Sequence, residues 1–272
     1  MNYSKTKPTV SLKRINKITL LTIMLFCINS RSISQNAFVY DNGTNWQSCF
    51  YDIIKSSDPS TFKSVSFETK KYAEMWDRDA NNNRGAWINP KSWIFRLSYV
   101  DGIESEIRIR QLGFKKDDIM NLAKEYGKKM GQLPYCLRKG VKYINILKSD
   151  ALFGGNNSKH SIEITIGKTS ELYNRTGNME EILFHEATHA ALDNLYKENW
   201  IPYRDKDSKF ISKYAANNPN REDISESFLV YVALNFRSDR VTSEMSKIKQ
   251  SIPNRLNFFK NKDLNIFPFS KK

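Results

Sequence analysis

The stretch Met179–Asn194, MEEILFHEATHAALDN, constrains this chain more than any other. It contains His185-Glu186-Ala187-Thr188-His189, and the whole chain holds only three histidines. Nothing from Met179 to Tyr196 breaks a helix, and Ile182, Leu183, Ala187, Ala190, Ala191 and Leu192 suit a buried one. On a helix, residues i and i+4 stand one above the other on the same face. His185 and His189 can therefore aim both imidazoles at one ion. Neutral imidazole suits Zn2+, which takes three protein ligands and a water in catalytic sites. Glu186, beside the first ligand, is placed to act on that water as general base. Asn178 is the expected N-cap, with Glu180 and Glu181 in the first turn, where the helix dipole favours acids. The competing reading is a chance motif on an amphipathic core helix.

Such a site needs a third ligand. A continuation of the type H-x-x-G-x-x-H is excluded, because Leu192 and Leu195 occupy the corresponding positions. His160 lies upstream in a loop or strand start and reads as a surface or cleft-rim residue. Residues 221–236, REDISESFLVYVALNF, form a second strong helix, with Phe228, Leu229, Val232, Ala233 and Phe236 on one stripe. Glu222 and Glu226 stand at i and i+4 on it. Two carboxylates on one face of a buried helix need a partner, because unpaired buried charge is costly. A metal would account for Glu222 as ligand, and the free ring N–H of His185 would account for Glu226. The alternative is that both glutamates sit in solvated first turns. Asp193, one turn after His189, and Asp223 could act beside the ligands or lie on the surface.

The combined pattern is His185-Glu186-x-x-His189-Ala190, then Tyr214-Ala215, then Glu222-Asp223-Ile224-Ser225-Glu226-Ser227-Phe228. It resembles the gluzincin metallopeptidases, and among them the catalytic domain of anthrax lethal factor and its secreted bacterial relatives. The resemblance covers residues 179–236 and, more loosely, the lobe before them. It implies one Zn2+ per chain held by His185, His189 and Glu222, with Glu186 as base and Glu226 behind the ligands. It also implies that Tyr214 stabilises the oxyanion, with Tyr203 as the fallback, since the spacing around Tyr214 departs from the family pattern. The implied fold is α+β and zincin-like: a twisted sheet, the active-site helix and a helical C-terminal lobe. In zincins the last strand before that helix is an edge strand that pairs with a peptide, a role that falls here on 161–166, SIEITI.

The rest of the chain bounds these expectations. Residues 1–34 read as a signal peptide: a basic start, the apolar run 18–28, and small residues at Ser32 and Ser34 that put the mature N-terminus at Gln35. The product would be secreted or periplasmic, with no stable membrane insertion after cleavage. The formal charge of +14 includes six basic residues in 1–34, which has no acid, so the mature chain carries +8. No basic repeat, finger or RNA-binding signature is present, which argues against nucleic acid as a partner. Cys49 and Cys136 remain after cleavage, as one disulfide or two buried thiols.

Residues 35–112 read as a β-rich region preceding a catalytic domain at 113–272. Strands are expected at 38–40, at 65–67, and at 93–100 and 104–110, which flank an Asp101-Gly102 turn. Residues 77–89, DRDANNNRGAWIN, read as a solvated loop, because the glycine and glutamate of a calcium loop are not in place. A helix over 115–130, a strand over 141–147, a loop at 154–157 and a surface-packed aromatic tail at 256–269 complete the reading. The expected activity is hydrolysis of peptide bonds in a peptide or protein substrate. Two alternatives stand beside it: an exported zincin-like binding or adhesion module, favoured less by the intact Glu186, and a zinc hydrolase of other amides.

Overall fold

The computed structural model describes residues 37–43, 51–241 and 244–270. The expected leader 1–34, its cleavage point before Gln35, and Cys49 lie outside these residues. The strands are β1 Phe38–Tyr40, β2 Phe62–Tyr72, β3 Met75–Asp77, β4 Ala86–Ile88, β5 Lys91–Tyr99, β6 Glu104–Arg110, β7 Tyr143–Lys148, β8 Gly154–Asn156, β9 Ser161–Ile166 and β10 Phe210–Ser212. The helices that frame the site are α1 Ile119–Gly131, α2 Lys168–Thr176, α3 Met179–Arg204, α4 Asp223–Phe236 and α5 Pro253–Lys260. The architecture is α+β. No described helix is long and apolar enough to cross a membrane.

Six strands form one mixed sheet in the order β2-β5-β6-β7-β9-β8. The β5–β6 hairpin arises where the sequence places it, with Gly102 at φ +83, a left-handed turn position that a side chain disfavours. Trp93, Phe95, Leu97 and Tyr99 alternate inward from β5 and meet Ile107 and Ile109 of β6. β6 then pairs with β7 in parallel, across the boundary expected at 112, so both sides of that boundary share one sheet and one core. The loop at 77–89 is more ordered than its polarity suggests. β3, which enters it, pairs with β4 inside it, and Trp76 just before it meets Trp87 edge to face at 5.6 Å.

The edge of the sheet near α3 corrects an expectation. β9 is not the edge strand: it lies between β7, parallel to it, and β8, antiparallel to it. Gly154-Gly155-Asn156 has poor strand propensity, but tertiary contact overrides it. A Cβ on Gly155 would stand 2.2 Å from the Glu186 carbonyl oxygen and 2.7 Å from the His189 Cβ, so only glycine lets this strand lie flat on α3.

α3 runs farther than its apolar pattern, to Arg204, and from Met179 to Asp193 every residue but Glu186 is buried. Asn178 sits at the N-cap without a side-chain capping bond. The helix is covered all round because the sheet, α4 and α5 enclose it. Phe184 packs on Phe228 of α4 at 5.3 Å between ring centres. Phe228 in turn meets Phe259 of α5 at 4.9 Å. The tail was expected on the surface, yet Phe258 and Phe259 are core residues, at 1% and 0% exposure. Their partners Trp200 and Phe228 come from α3 and α4, and burying each ring removes enough apolar area from water to contribute about 1.5–3 kcal/mol. Cys136 is a half-buried free thiol that burial pushes up to about 12.

Candidate metal centre

α3 and the start of α4 bring three donor atoms to one point. His185 Nε2 and His189 Nε2 stand 3.1 Å apart, and Glu222 Oε2 lies 3.1 Å from each. All three residues are buried. Ligands around a tetrahedral zinc at 2.0–2.1 Å stand about 3.3 Å apart, so this triangle matches three corners of such a site. Glu222 is not inside its helix but at the N-cap of α4, with φ −95. Its side chain is free to turn back toward α3 for that reason.

The shell behind the triangle fixes which ring atoms face it. His189 Nδ1 lies 2.8 Å from Asp193 Oδ2 and 3.1 Å from Ser225 Oγ. An ionised carboxylate only accepts, so His189 donates from Nδ1 and a neutral ring turns the Nε2 lone pair to the centre. Burial opposes charging of His189, but the Asp193 and Glu222 carboxylates outweigh it and push it up to about 10. Burial alone would raise Glu222, yet the two imidazoles hold it far below the usual carboxylate range. The centre of the triangle thus favours positive charge. Together the donor set, its spacing and its field fit a bound metal ion. Two imidazoles and one carboxylate suit zinc and admit other divalent ions.

Glu226 stands behind His185, as its position in the sequence implies, but less closely than Asp193 stands behind His189. Glu226 Oε1 approaches His185 Nδ1 at 3.5 Å, too far for a good hydrogen bond, and its Oε2 accepts from Ser212 Oγ at 2.7 Å. Asp223 faces away from the triangle, toward Trp200 and Arg255. His160 is not part of the cluster: its Nδ1 lies 3.3 Å from the Ala190 carbonyl oxygen, at a turn residue with φ +53.

A cavity of about 300 Å³ opens over the triangle, lined by Glu186, Tyr214 and Glu226 besides the three donors. Glu186 is the one residue of its helical stretch that is not fully buried, so its carboxylate can meet solvent while its neighbours cannot. Tyr214, on the short helix Lys213–Asn217, hydrogen-bonds Glu222; burial first, then the Glu222 carboxylate, pushes its phenol up. Tyr203 packs on Phe258 at 5.1 Å and does not line the cavity, which leaves Tyr214 as the tyrosine of the pair that faces the site.

Five further lining residues are not singled out by the sequence: Arg78, Leu152, Phe153, Tyr173 and Arg221. Arg221 adjoins Glu222 and was within reach of the motif. Arg78 lies in the segment 77–89 read as a solvated loop, and no periodicity marks Arg78 or Phe153. No family model, curated protein or solved structure matches the chain.

Proposed function

We propose that the protein is an exported zinc-dependent peptidase of zincin-like fold and gluzincin type. The observation that carries this reading is the buried His185–His189–Glu222 triangle with Glu186 in the same cavity. A zinc ion in such a site supplies Lewis acidity and brings the pKa of water near neutrality. Glu186, one residue from His185 and open to solvent, accepts a proton from water and returns it to a leaving amine. Tyr214 directs a phenol O–H from the Glu222 side of the cavity, where it can meet a developing oxyanion. Asp193 holds the His189 tautomer, and Glu226 backs His185. β8, the outer strand of the sheet, takes the peptide-pairing role first assigned to β9, because its outward N–H and C=O groups are not paired within the sheet. The basic, apolar leader pattern at 1–34 supports export.

The test combines metal content and cleavage. The purified protein and its Glu186→Gln variant are assayed by elemental analysis and against a mixed peptide library, with and without chelator. The expected result is about one zinc per chain in both proteins, cleavage by the wild type alone, and loss of cleavage on chelation. Absence of zinc from both would refute the site and favour the binding-module alternative. Cleavage by Glu186→Gln at the wild-type rate would remove the base from its role.

A further inference from the structure

Arg78 stands in the cavity wall with most of its hydrogen-bonding capacity unused. A guanidinium carries five N–H donors in a planar fork. Among the described residues, Arg78 makes one hydrogen bond, from Nη2 to the Phe153 carbonyl at 2.9 Å, and no ion pair. The second arginine of the wall, Arg221, is already committed: its Nε lies 3.0 Å from Glu222 Oε1. The Phe153 bond holds the Arg78 fork beside the start of β8. Gly154 leaves it room there, since a Cβ would stand only 3.3 Å from Nη2. Glu163, the buried acid on the other side of Gly154, is not an ion-pair partner of Arg78, and its Oε1 accepts from Asn145 and Ser161.

Arg78 also lies on the Glu186 side of the cavity. The two act with opposite signs on the same neighbours, Glu163 and Tyr173. Leu152, Phe153 and Tyr173 give this side of the cavity an apolar wall, and Leu152 is 48% exposed at its rim. The remaining charges that line the cavity are carboxylates, Glu186, Glu222 and Glu226, apart from the paired Arg221.

We propose that Arg78 is the receptor for a carboxylate on the substrate, so that the cavity selects acidic peptides. The carboxylate is an Asp or Glu side chain, or a free C-terminus, next to the bond that faces Glu186. The inference rests on the hydrolase reading above. A guanidinium fork matches a carboxylate with two parallel bonds, and Arg78, exposed at the cavity wall, is open to an incoming one. The surrounding glutamates repel the same group elsewhere, so one free arginine fixes both the preference and the placement.

The test uses the purified, zinc-loaded full chain and matched peptides that carry Glu, Gln or Lys near the cleaved bond, each as free acid and as C-terminal amide. The wild type is expected to show kcat/KM at least about tenfold higher for Glu than for Gln, the scale of a charge-assisted hydrogen bond. Arg78→Ala levels that ratio, and Arg78→Glu turns it toward Lys. A preference for free acid over amide, with no response to Glu, identifies the C-terminal carboxylate as the group held. Binding to Glu186→Gln, measured by calorimetry, gives a second readout without turnover, with the Glu peptide bound more tightly than the Gln peptide. Equal cleavage of all peptides by the wild type, or a preference that survives Arg78→Ala, overturns the inference and leaves the hydrolase reading intact. Failure of the wild type to cleave any peptide overturns both.

Discussion

Two clusters of buried charge meet at the start of α4, through the neighbours Glu222 and Asp223, and they differ in what balances their acids. At the far end of α3, Arg255 reaches Asp223 at 3.0 Å and Asp207 at 3.1 Å, all three side chains fully buried, and Trp200 donates to Asp223 at 2.7 Å. Burial pushes Asp223 up, and the guanidinium pulls it back. Around the histidines, Glu222, Glu226 and Asp193 are also buried, but Arg221 reaches Glu222 only from an exposed position. A buried acid needs a cation, a proton or a metal. The first cluster carries its cation as a side chain. The second turns acids and ring lone pairs toward one shared point, a donor set that could hold a metal ion. Glu181, on the first turn of α3, shows the third solution: it accepts from the Ile54 N–H at 2.8 Å, and burial pushes it up to about 8, so it stays protonated near neutrality.

The comparison can be broken at its strongest point first. Arg255→Met leaves Asp207 and Asp223 buried without a cation and is expected to destabilise the fold by about 3–5 kcal/mol in urea unfolding, with or without metal. A small change would mean that the aspartates take up protons at little cost, and that the cluster is no strut. The next effect lies in the other cluster. Asp193→Asn should weaken metal binding by about 10- to 100-fold in chelator competition, because it removes the acceptor that orients His189. Glu226→Gln should cost less, since its contact with His185 is 3.5 Å and its hydrogen bond goes to Ser212. The reverse ranking would show that the His185 side governs the metal. The smallest effect concerns Glu181. Its ordinary value is 4.5 and its folded value about 8, so the folded chain holds an extra proton between them. Stability from this group is therefore complete below 4.5 and lost as pH rises toward 8, with a slope of up to about 1.4 kcal/mol per pH unit. Glu181→Gln should flatten that slope in unfolding titrations; an unchanged slope would place the proton elsewhere.

What the sequence shows and hides follows from the range of the interactions involved. His185 and His189 are legible because one helical turn fixes their geometry, whatever surrounds them. Glu222 is legible as an acid beside an apolar stripe, although its N-cap position is set by the chain turning at 218–222. The hairpin at 91–110 carries its own alternation and its own turn. β8 is hidden because two glycines have no local preference for a strand, and the fit against Glu186 that selects them is a long-range contact. Arg255 looks like any basic residue near an aromatic tail until α5 folds it against residues far earlier in the chain. The same holds for Phe258 and Phe259, whose pattern alone does not separate a core face from a surface one. Arg78 sits in a polar run, where nothing local tells a solvated arginine from one held at a cavity wall.

Glu222 and Asp223 are consecutive, yet one turns to the histidines and the other to Arg255. A single peptide unit therefore joins two anchors that pull on opposite sides of the chain. α4 cannot roll about its axis to carry Glu222 away from α3 without also dragging Asp223 off its guanidinium. The helical wall of the cavity behaves as a fixed jaw, and any opening that admits a large molecule must come from the other walls, where Tyr214 and Arg78 meet solvent.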